Sequence, residues 1–421
     1  MNTPLRPLRS IHTLPYATLD QRIVARPGYD EKTHIYLELP LDYSPNIPTA
    51  PPGEEVRKAL VTLAAPWSGY SWSSPDDAAA MLSGVLASVF RPVMRLCPGY
   101  VIDANTQGSG KTLAATALGC LLTGRMVGVV AGGCEGSGSE EEQAKRLLSC
   151  VVDQQGFICF DNLTGHYRSA ALAGCLTSGR LMGRVLGLSR MIDAEANMLI
   201  TATGNNCSFD ADLLRRMVRC RIDGGANPTA KRFAFTPPQA ALQDRLKIAE
   251  ACCVLLAAYW AAGAPQIAKG GCGGFDEWVA LCRQPLLWAS AQGLTDVLGW
   301  GALGDPAGSL LADSSLNDPD IEALGDLLRS LEALSDGRFF TSKEVQTWYR
   351  MGADMPHGDG ACTGLYESVR EMLGSRGNGE VSSKSLGRVL LNRRDRVVHG
   401  LRLVASSGGV SRSWKIVHAA A

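Results

Sequence analysis

The sequence has no apolar run long enough to cross a bilayer. Its longest, ACCVLLAAYWAAG at residues 251–263, is the length of a buried helix. The opening residues, MNTPLRPLRS, lack the apolar segment of a secretory signal. No membrane partner is expected. C-x-x-C pairs are missing, and the 13 cysteines are an odd number. That excludes a disulfide framework and the common zinc spacings, and points to reduced, mostly buried thiols in a cytoplasmic protein. Net charge is missing as well, with 41 Lys/Arg against 41 Asp/Glu, which excludes a chain that coats nucleic acid by bulk charge. There is no internal repeat and no N-K-x-D guanine-reading motif.

What remains is an ordinary globular composition, 46% apolar and 19% charged, in a chain of 421 residues that suggests two to three domains. Residues 1–55 are Pro-rich and read as an extended strap or linker with one strand-like segment, THIYLELPL. Pro75-Asp76-Asp77 marks a helix start. Between Pro98 and Asp223, short apolar runs alternate with helical segments, which predicts α/β organisation. The strand candidates are Tyr100–Ala104, Val127–Val130, Phe157–Asp161, Met198–Thr203 and Val218–Ile222. Residues 237–300 read as helical, with Trp260, Trp278, Trp288 and Trp300 as packing residues.

The strongest chemical signal is the strand ending Val101-Ile102-Asp103-Ala104, followed by NTQGSGKT and an apolar helix. Strand, Gly-containing loop and helix in that order are the context of a phosphate-binding loop. The cradle would comprise Asn105, Thr106, Gln107, Gly108, Ser109, Gly110, Lys111 and Thr112. Its glycines let backbone N–H groups turn toward phosphate oxygens, and the helix start adds partial positive charge. Lys111 can reach the β/γ-phosphates of ATP, and the Thr112 hydroxyl can ligate Mg2+. Asn105 stands where Gly is usual, but Asn tolerates left-handed backbone.

GFICFDN, residues 156–162, reads as a buried parallel strand delivering Asp161 to a metal opposite Thr112. Asn162 follows, where many ring ATPases carry a Glu. An amide cannot accept the water's proton, so Asn162 would orient water, or Glu140, Glu141 or Glu142 would supply the base. NMLITATGNN is a further buried strand ending in polar groups; Asn205, rather than Asn206, is the candidate for contacting the attacking water or γ-phosphate. Arg215 and Arg216 follow on a short helix, where ring ATPases carry an arginine that reaches a neighbour's γ-phosphate. That role implies self-assembly.

The tail hides a charge separation. Residues 376–421 hold nine Lys/Arg against Glu380 and Asp395, a net of seven positive charges, leaving the preceding residues seven negative. SKSLGRVLLNRRD predicts a helix with Leu386, Val389 and Leu390 on one face. RVVHGLRLVASSGGVSRSWKIV alternates like two strands around a Ser-Gly turn. Helix then hairpin is the winged-helix plan, with Lys384, Arg388, Arg393, Arg394, Arg396 and Arg412 as candidate DNA contacts. Arg180, Arg184 and Arg190 form a second candidate surface that could track a strand's phosphates.

In order, the phosphate loop, F-D-N, A-T-G-N-N and D-L-x-R-R resemble the AAA+/superfamily 3-like P-loop ATPases of phages, plasmids and integrative mobile elements, which include replicative helicases. PGYDEKTHIYLELP, LGLSRMIDAEANMLITATGNN and SLGRVLLNRRDRVV extend the resemblance from about residue 27 to the end. The resemblance implies an α/β fold: an AAA+ (ASCE-type) P-loop core at 56–230 with its preceding helices, a five-stranded parallel sheet, a helical lid at 231–310 and a winged-helix domain at 317–421. It also implies that the phosphate-loop and sensor strands are neighbours, with the Asp strand beyond. The expected activity is that of a hexameric ATP-dependent DNA helicase or translocase. Single-stranded DNA would run in the channel and duplex DNA would bind the winged helix, with a separate primase or single-strand-binding protein as a partner. Fuller family members carry a primase-polymerase module upstream, for which the first 55 residues are too few. An ATP-switched DNA-binding regulator or loader is the main rival. A small-molecule kinase would need neither the sensor nor the arginine pair.

Overall fold

Six consecutive buried residues, Gly99–Ala104, form the strand around which the N-terminal part of the chain is built. In the computed structural model this strand, β1, lies inside a five-stranded, all-parallel sheet with β2 (Val130–Ala131), β3 (Phe157–Leu163), β4 (Leu199–Asn205) and β5 (Met217–Ile222). The structure describes residues 5–104, 106, 108–132, 139–163, 166–184, 191–205, 207–224, 236–311, 319–354, 360–373, 381–394, 397–406 and 413–418. The strand order is β5-β1-β4-β3-β2. β1, which leads into the loop, therefore neighbours β4, the strand ending in Asn205, with the Asp161 strand β3 beyond it.

Side-chain alternation sends β1 into two cores. Tyr100, Ile102 and Ala104 join one apolar cluster; Val101 joins the other, with Ile158, Phe160 and Ile200. The first cluster contains α1 (Gly53–Ala64), α2 (Pro75–Phe90) and α3 (Lys111–Thr123), together with the long helix α6 (Arg245–Ala261). α2 starts where the sequence predicts: Ser74 caps it by accepting from Asp77 N–H, and Pro75 occupies the first turn. α4 (Ser139–Val152) and α5 (Ala170–Ser178) lie on the second face. Trp278 and Trp288 are buried in the first cluster, and Trp260 and Trp300 pack against it.

The N-terminal strap is more ordered than its composition suggests. Ser10–His12 pairs in parallel with Ile35–Leu37, which pairs with Gly28–Asp30, and Tyr16–Ala17 pairs with Ile23–Val24. Leu14, Tyr16, Ile35 and Leu37 are fully buried in the main core. Prolines set the course of this segment, and its apolar residues anchor it. β2 shares only Val130 with the expected Val127–Val130: this edge strand, which gains hydrogen bonds on one side only, begins three residues later and is two residues long.

The chain divides into two units, Met1–Ala312 and Asp313–Ala421. The second contains α7 (Pro319–Ser335), α8 (Ser342–Ala353), α9 (Ala361–Leu373) and α10 (Ser383–Arg393), then strands at Val397–Val398, Leu401–Ala405 and Ser413–His418. The last three, with Phe340–Thr341, form a four-stranded antiparallel sheet. Its core is Leu-rich around Phe340 and Trp414. α8 opens with a capping box between Thr341 and Glu344. Among the described residues, no helix is long and apolar enough to cross a membrane.

Candidate functional site

The site forms at the C-terminal edge of the sheet, where β1 passes through Thr106–Gly110 into α3. Gly108 and Gly110 take φ of 75° and 83°, left-handed values that glycine adopts without strain. Among the described residues, no side-chain cap is seen at the start of α3. Gly110, at the N-cap, has no side chain to accept from the helix's leading N–H groups, the condition that suits a helix start to an anion. A Cβ on Gly110 would lie 3.0 Å from the Tyr70 hydroxyl, which itself donates to the Gly110 carbonyl at 2.9 Å. Tyr70 stacks in turn on Trp72, with ring centroids 5.5 Å apart.

Lys111 is 8% exposed, and burial lowers its ammonium pKa, opposed by the carboxylates of Asp103 and Asp161. Its Nζ donates to Asn205 Oδ1 at 2.7 Å, to the Thr106 carbonyl at 3.3 Å and to Ser109 Oγ at 3.4 Å. The sheet register explains the first contact, because Asn205 at the end of β4 pairs with Ala104 at the end of β1. Asp103 is 1% exposed, and its Oδ1 accepts from the Ala104 N–H.

Asp161 accepts from Thr112 Oγ1 and from Thr203 Oγ1, both at 2.7 Å. Thr203 Oγ1 accepts in turn from the Asn162 N–H at 2.9 Å. Here the β3–β4 register slips: Ala202 pairs with Phe160 but Gly204 with Leu163, so Asp161 and Asn162 together oppose Thr203. The extra residue is a bulge, with Asn162 at φ 58°, and bulges re-aim side chains beside active sites. Thr112 and Asp161 thus present hydroxyl and carboxylate oxygens side by side, the hard donors that Mg2+ takes when phosphates and water complete its shell. Among the described residues, no group of three or more His, Cys, Asp or Glu could hold a metal by itself.

The structure brings Lys111, Thr112, Asp161 and Asn205 together, with Thr106, Ser109 and Gly110 around them. Asn105, Gln107 and Asn206 lie outside the described residues. The exposed Asn162 enters this network through its backbone. Arg215 and Arg216 stand elsewhere. Gly99 N–H donates to the Arg216 carbonyl, and Met217 pairs with Gly99, so the two arginines precede β5 at the opposite sheet edge. Six residues of strand separate that edge from the loop, about 20 Å. Arg215 is 60% exposed and pairs with Asp212, whereas Arg216 donates to Thr177 Oγ1 at 2.6 Å. The acidic run opens α4: Glu140 accepts from the Ala170 N–H, and Glu141 and Glu142 pair with Lys145 and Arg146 one turn on.

Arg180 and Arg184 face outward from an antiparallel hairpin formed by Arg180–Arg184 and Met191–Glu195; Arg180 pairs with Asp193 at 3.0 Å. Arg190 lies outside the described residues. In the second unit, α10 buries Leu386, Val389 and Leu390 while exposing Lys384 and Arg388. Arg393 is part-buried and Arg394 exposed; Arg396 and Arg412 lie outside the described residues.

Tyr70, Asp103 and Thr203 are site residues that sequence reasoning missed. Asp103 and Thr203 lie within the quoted motifs, at positions the strand alternation could have flagged. Tyr70 is 40 residues from its loop partner, and its only signal is an aromatic in a Ser/Gly-rich stretch.

No family model matches the sequence, and no curated protein matches it. Among solved structures, the chain is similar to the A-form apo structure of the NrS-1 C-terminal region. The TM-score is 0.36 and the identity 12%, over 94% of this chain and 83% of that one. A likeness that distant fixes neither fold family nor function.

Proposed function

We propose that the chain is a magnesium-dependent ATP hydrolase with a P-loop core, assembling as an oligomeric ring that acts as a DNA helicase or translocase in replication of a mobile genetic element. The observation that carries this reading is the convergence of Lys111, Thr112, Asp161 and Asn205, from α3, β3 and β4, on one edge of a parallel sheet. Ligands of open α/β sheets bind at that edge.

In this reading Lys111 exchanges its Asn205 and carbonyl acceptors for β/γ-phosphate oxygens. Thr112 and Asp161 would hold Mg2+, which supplies charge neutralisation on the phosphates. Asn205 and Asn162 orient water. Arg215 and Arg216, far from their own loop, serve a neighbour's site. The helix and hairpin of the second unit act as a winged helix, with Lys384, Arg388, Arg393, Arg394, Arg396 and Arg412 on duplex DNA, while the Arg180/Arg184 hairpin tracks a single strand.

The test is hydrolysis by the Lys111→Ala protein. A loss on the order of 10²-fold or more is expected, the scale of removing one group that stabilises developing charge. A variant as fast as the parent would remove the basis of the reading. Parent activity with and without single-stranded DNA, and mass with a non-hydrolysable nucleotide, test the ring and its cargo. One observation favours a second reading, an ATP-switched DNA-binding regulator or loader: Asn162 cannot take a proton, which suits slow hydrolysis. Strand displacement on forked DNA separates the two.

A further inference from the structure

A cleft of about 570 Å³ lies at the sheet edge opposite the loop, where Gly156 and Met198 lead into β3 and β4. The strap segment at 9–13 and the last turns of α3 and α4 complete its walls. Its charge is one-sided. Arg9, Arg91 and Arg125 line it against one acidic residue, Glu195. His12 also lines it and adds no charge at neutral pH, since burial and the nearby Arg245 push its pKa down to about 3.

Arg91 is 4% exposed and donates to four neutral oxygens: the Met94, Ala196 and Met198 carbonyls and Asn197 Oδ1. Arg245, behind the wall, likewise donates to the Leu121, Leu122 and Thr13 carbonyls and to Thr13 Oγ1. These bonds hold the ends of neighbouring elements, yet none is to a counter-charge, which a buried cation ordinarily has; the Glu277 carboxylate acts on Arg91 only through space. At the mouth, Arg125 donates to the neutral Gln155 Oε1 at 3.0 Å. Arg9 stands 3.7 Å from Glu195, whose side chain is 52% exposed. Ser10 also lines the cleft, and its hydroxyl is buried with no hydrogen-bond partner among the described residues. Walls of low dielectric focus the field of such a site on an incoming anion.

We propose that this cleft is a second anion site, which takes a phosphate-bearing ligand between Arg9, Arg125 and the Ser10 hydroxyl with the Arg91 charge beneath. Its volume admits a nucleotide-sized group. The phosphate can belong to a free compound or to a nucleic-acid strand. The inference is independent of the hydrolase reading, because the cleft and the loop occupy opposite edges of the sheet.

The test uses the full chain carrying Lys111→Ala, which disables the proposed loop site. Inorganic pyrophosphate, followed by calorimetry, and a labelled oligothymidylate, followed by anisotropy, are the two probes at low salt. Pyrophosphate is expected to bind, and Arg125→Glu or Arg9→Glu to weaken it about tenfold or more. Both side chains lie at the mouth, and thermal melting checks that each variant is folded. If the ligand is a free phosphate compound, oligonucleotide affinity does not respond to the two substitutions. If it is a strand, that affinity falls with them, and pyrophosphate competes. Failure of both probes to bind, or affinities for both that neither substitution changes, overturns the assignment.

Discussion

A lysine ammonium at 8% exposure must keep every proton near an oxygen, and Lys111 does so with one amide, one carbonyl and one hydroxyl. None of these is a carboxylate, so the group can be drawn to a stronger anion. The loop that presents it is braced from outside the motif, by Tyr70 on the Gly110 carbonyl. Tyr70→Phe removes that bond and keeps the ring on Trp72. A neutral hydrogen bond is worth about 0.5–1.5 kcal/mol net, so the apparent KM for ATP is expected to rise severalfold, to at most about tenfold. With kcat within about twofold of the parent, steady-state kinetics would identify a positioning residue; an equal fall in kcat and kcat/KM would count against the brace. His12 yields a second residue-scale expectation. It is buried, its Nε2–H faces the Val89 carbonyl, and burial and Arg245 lower its pKa from 6.5 to about 3. The unfolded chain therefore binds a proton that the folded chain refuses between those values. Stability from this group is fully present above pH 6.5 and is lost as pH falls from there toward 3, by about 1.4 kcal/mol per pH unit. Denaturation curves from pH 7 to 4 should show this slope in the parent and lose it in His12→Gln, which keeps a donor for Val89.

At the scale of elements, the strands were the most readable part of the chain, because a continuous apolar run bounded by Gly or Pro has few ways to fold. GYVIDA, FICFDN and the run through LITATGN all became central strands ending in the polar groups that make the site. The loop was readable for a different reason: its glycines, lysine and threonine are adjacent, so local chemistry declares it. What could not be read is what depends on pairing. The bulge that turns Asp161 toward Thr112 exists only once β3 is laid against β4, and nothing in F-D-N announces it. Thr203 is one more β-branched strand residue until its hydroxyl bridges Asp161 and the Asn162 N–H. Apart from THIYLELPL, the strap read as irregular because Pro-rich composition hides four further short strands, each defined by its pairing with another segment. The α10 helix illustrates the readable case, its buried Leu386, Val389 and Leu390 leaving Lys384 and Arg388 to solvent. If those two lie on DNA phosphates, replacing both with Ala should lower the slope of log affinity against log salt by about two contacts' worth, roughly 0.9 each. A filter-binding titration over a salt series checks this, and an unchanged slope would move the DNA surface elsewhere.

At the scale of the whole molecule, one spatial fact bears on assembly: a sheet's length separates Arg215 and Arg216 from the loop of their own chain. Strand β1 is rigid and buried, so no side-chain rotation closes a gap of about 20 Å. If these arginines stabilise charge on a γ-phosphate, the phosphate belongs to another copy, and hydrolysis is a property of the assembly. Arg215 is the better placed, being 60% exposed and paired with Asp212 on its own short helix, an interaction that an anion can displace. Arg216 is 17% exposed and engaged with Thr177, which suits it to fixing that helix. Two inactive chains then test the arrangement together. Lys111→Ala has no working loop but intact arginines, and Arg215→Ala/Arg216→Ala has the reverse. Each alone is expected to be inactive. Mixed in equal amounts and allowed to assemble at random, about a quarter of the sites would join a sound loop to sound arginines, and activity should return toward that fraction of the parent rate. The recovered rate should fall on dilution below the concentration at which light scattering detects assembly. Recovery that ignores dilution, or none in a mixture shown by mass to be co-assembled, would place the arginines outside the chemistry and leave hydrolysis to the single chain.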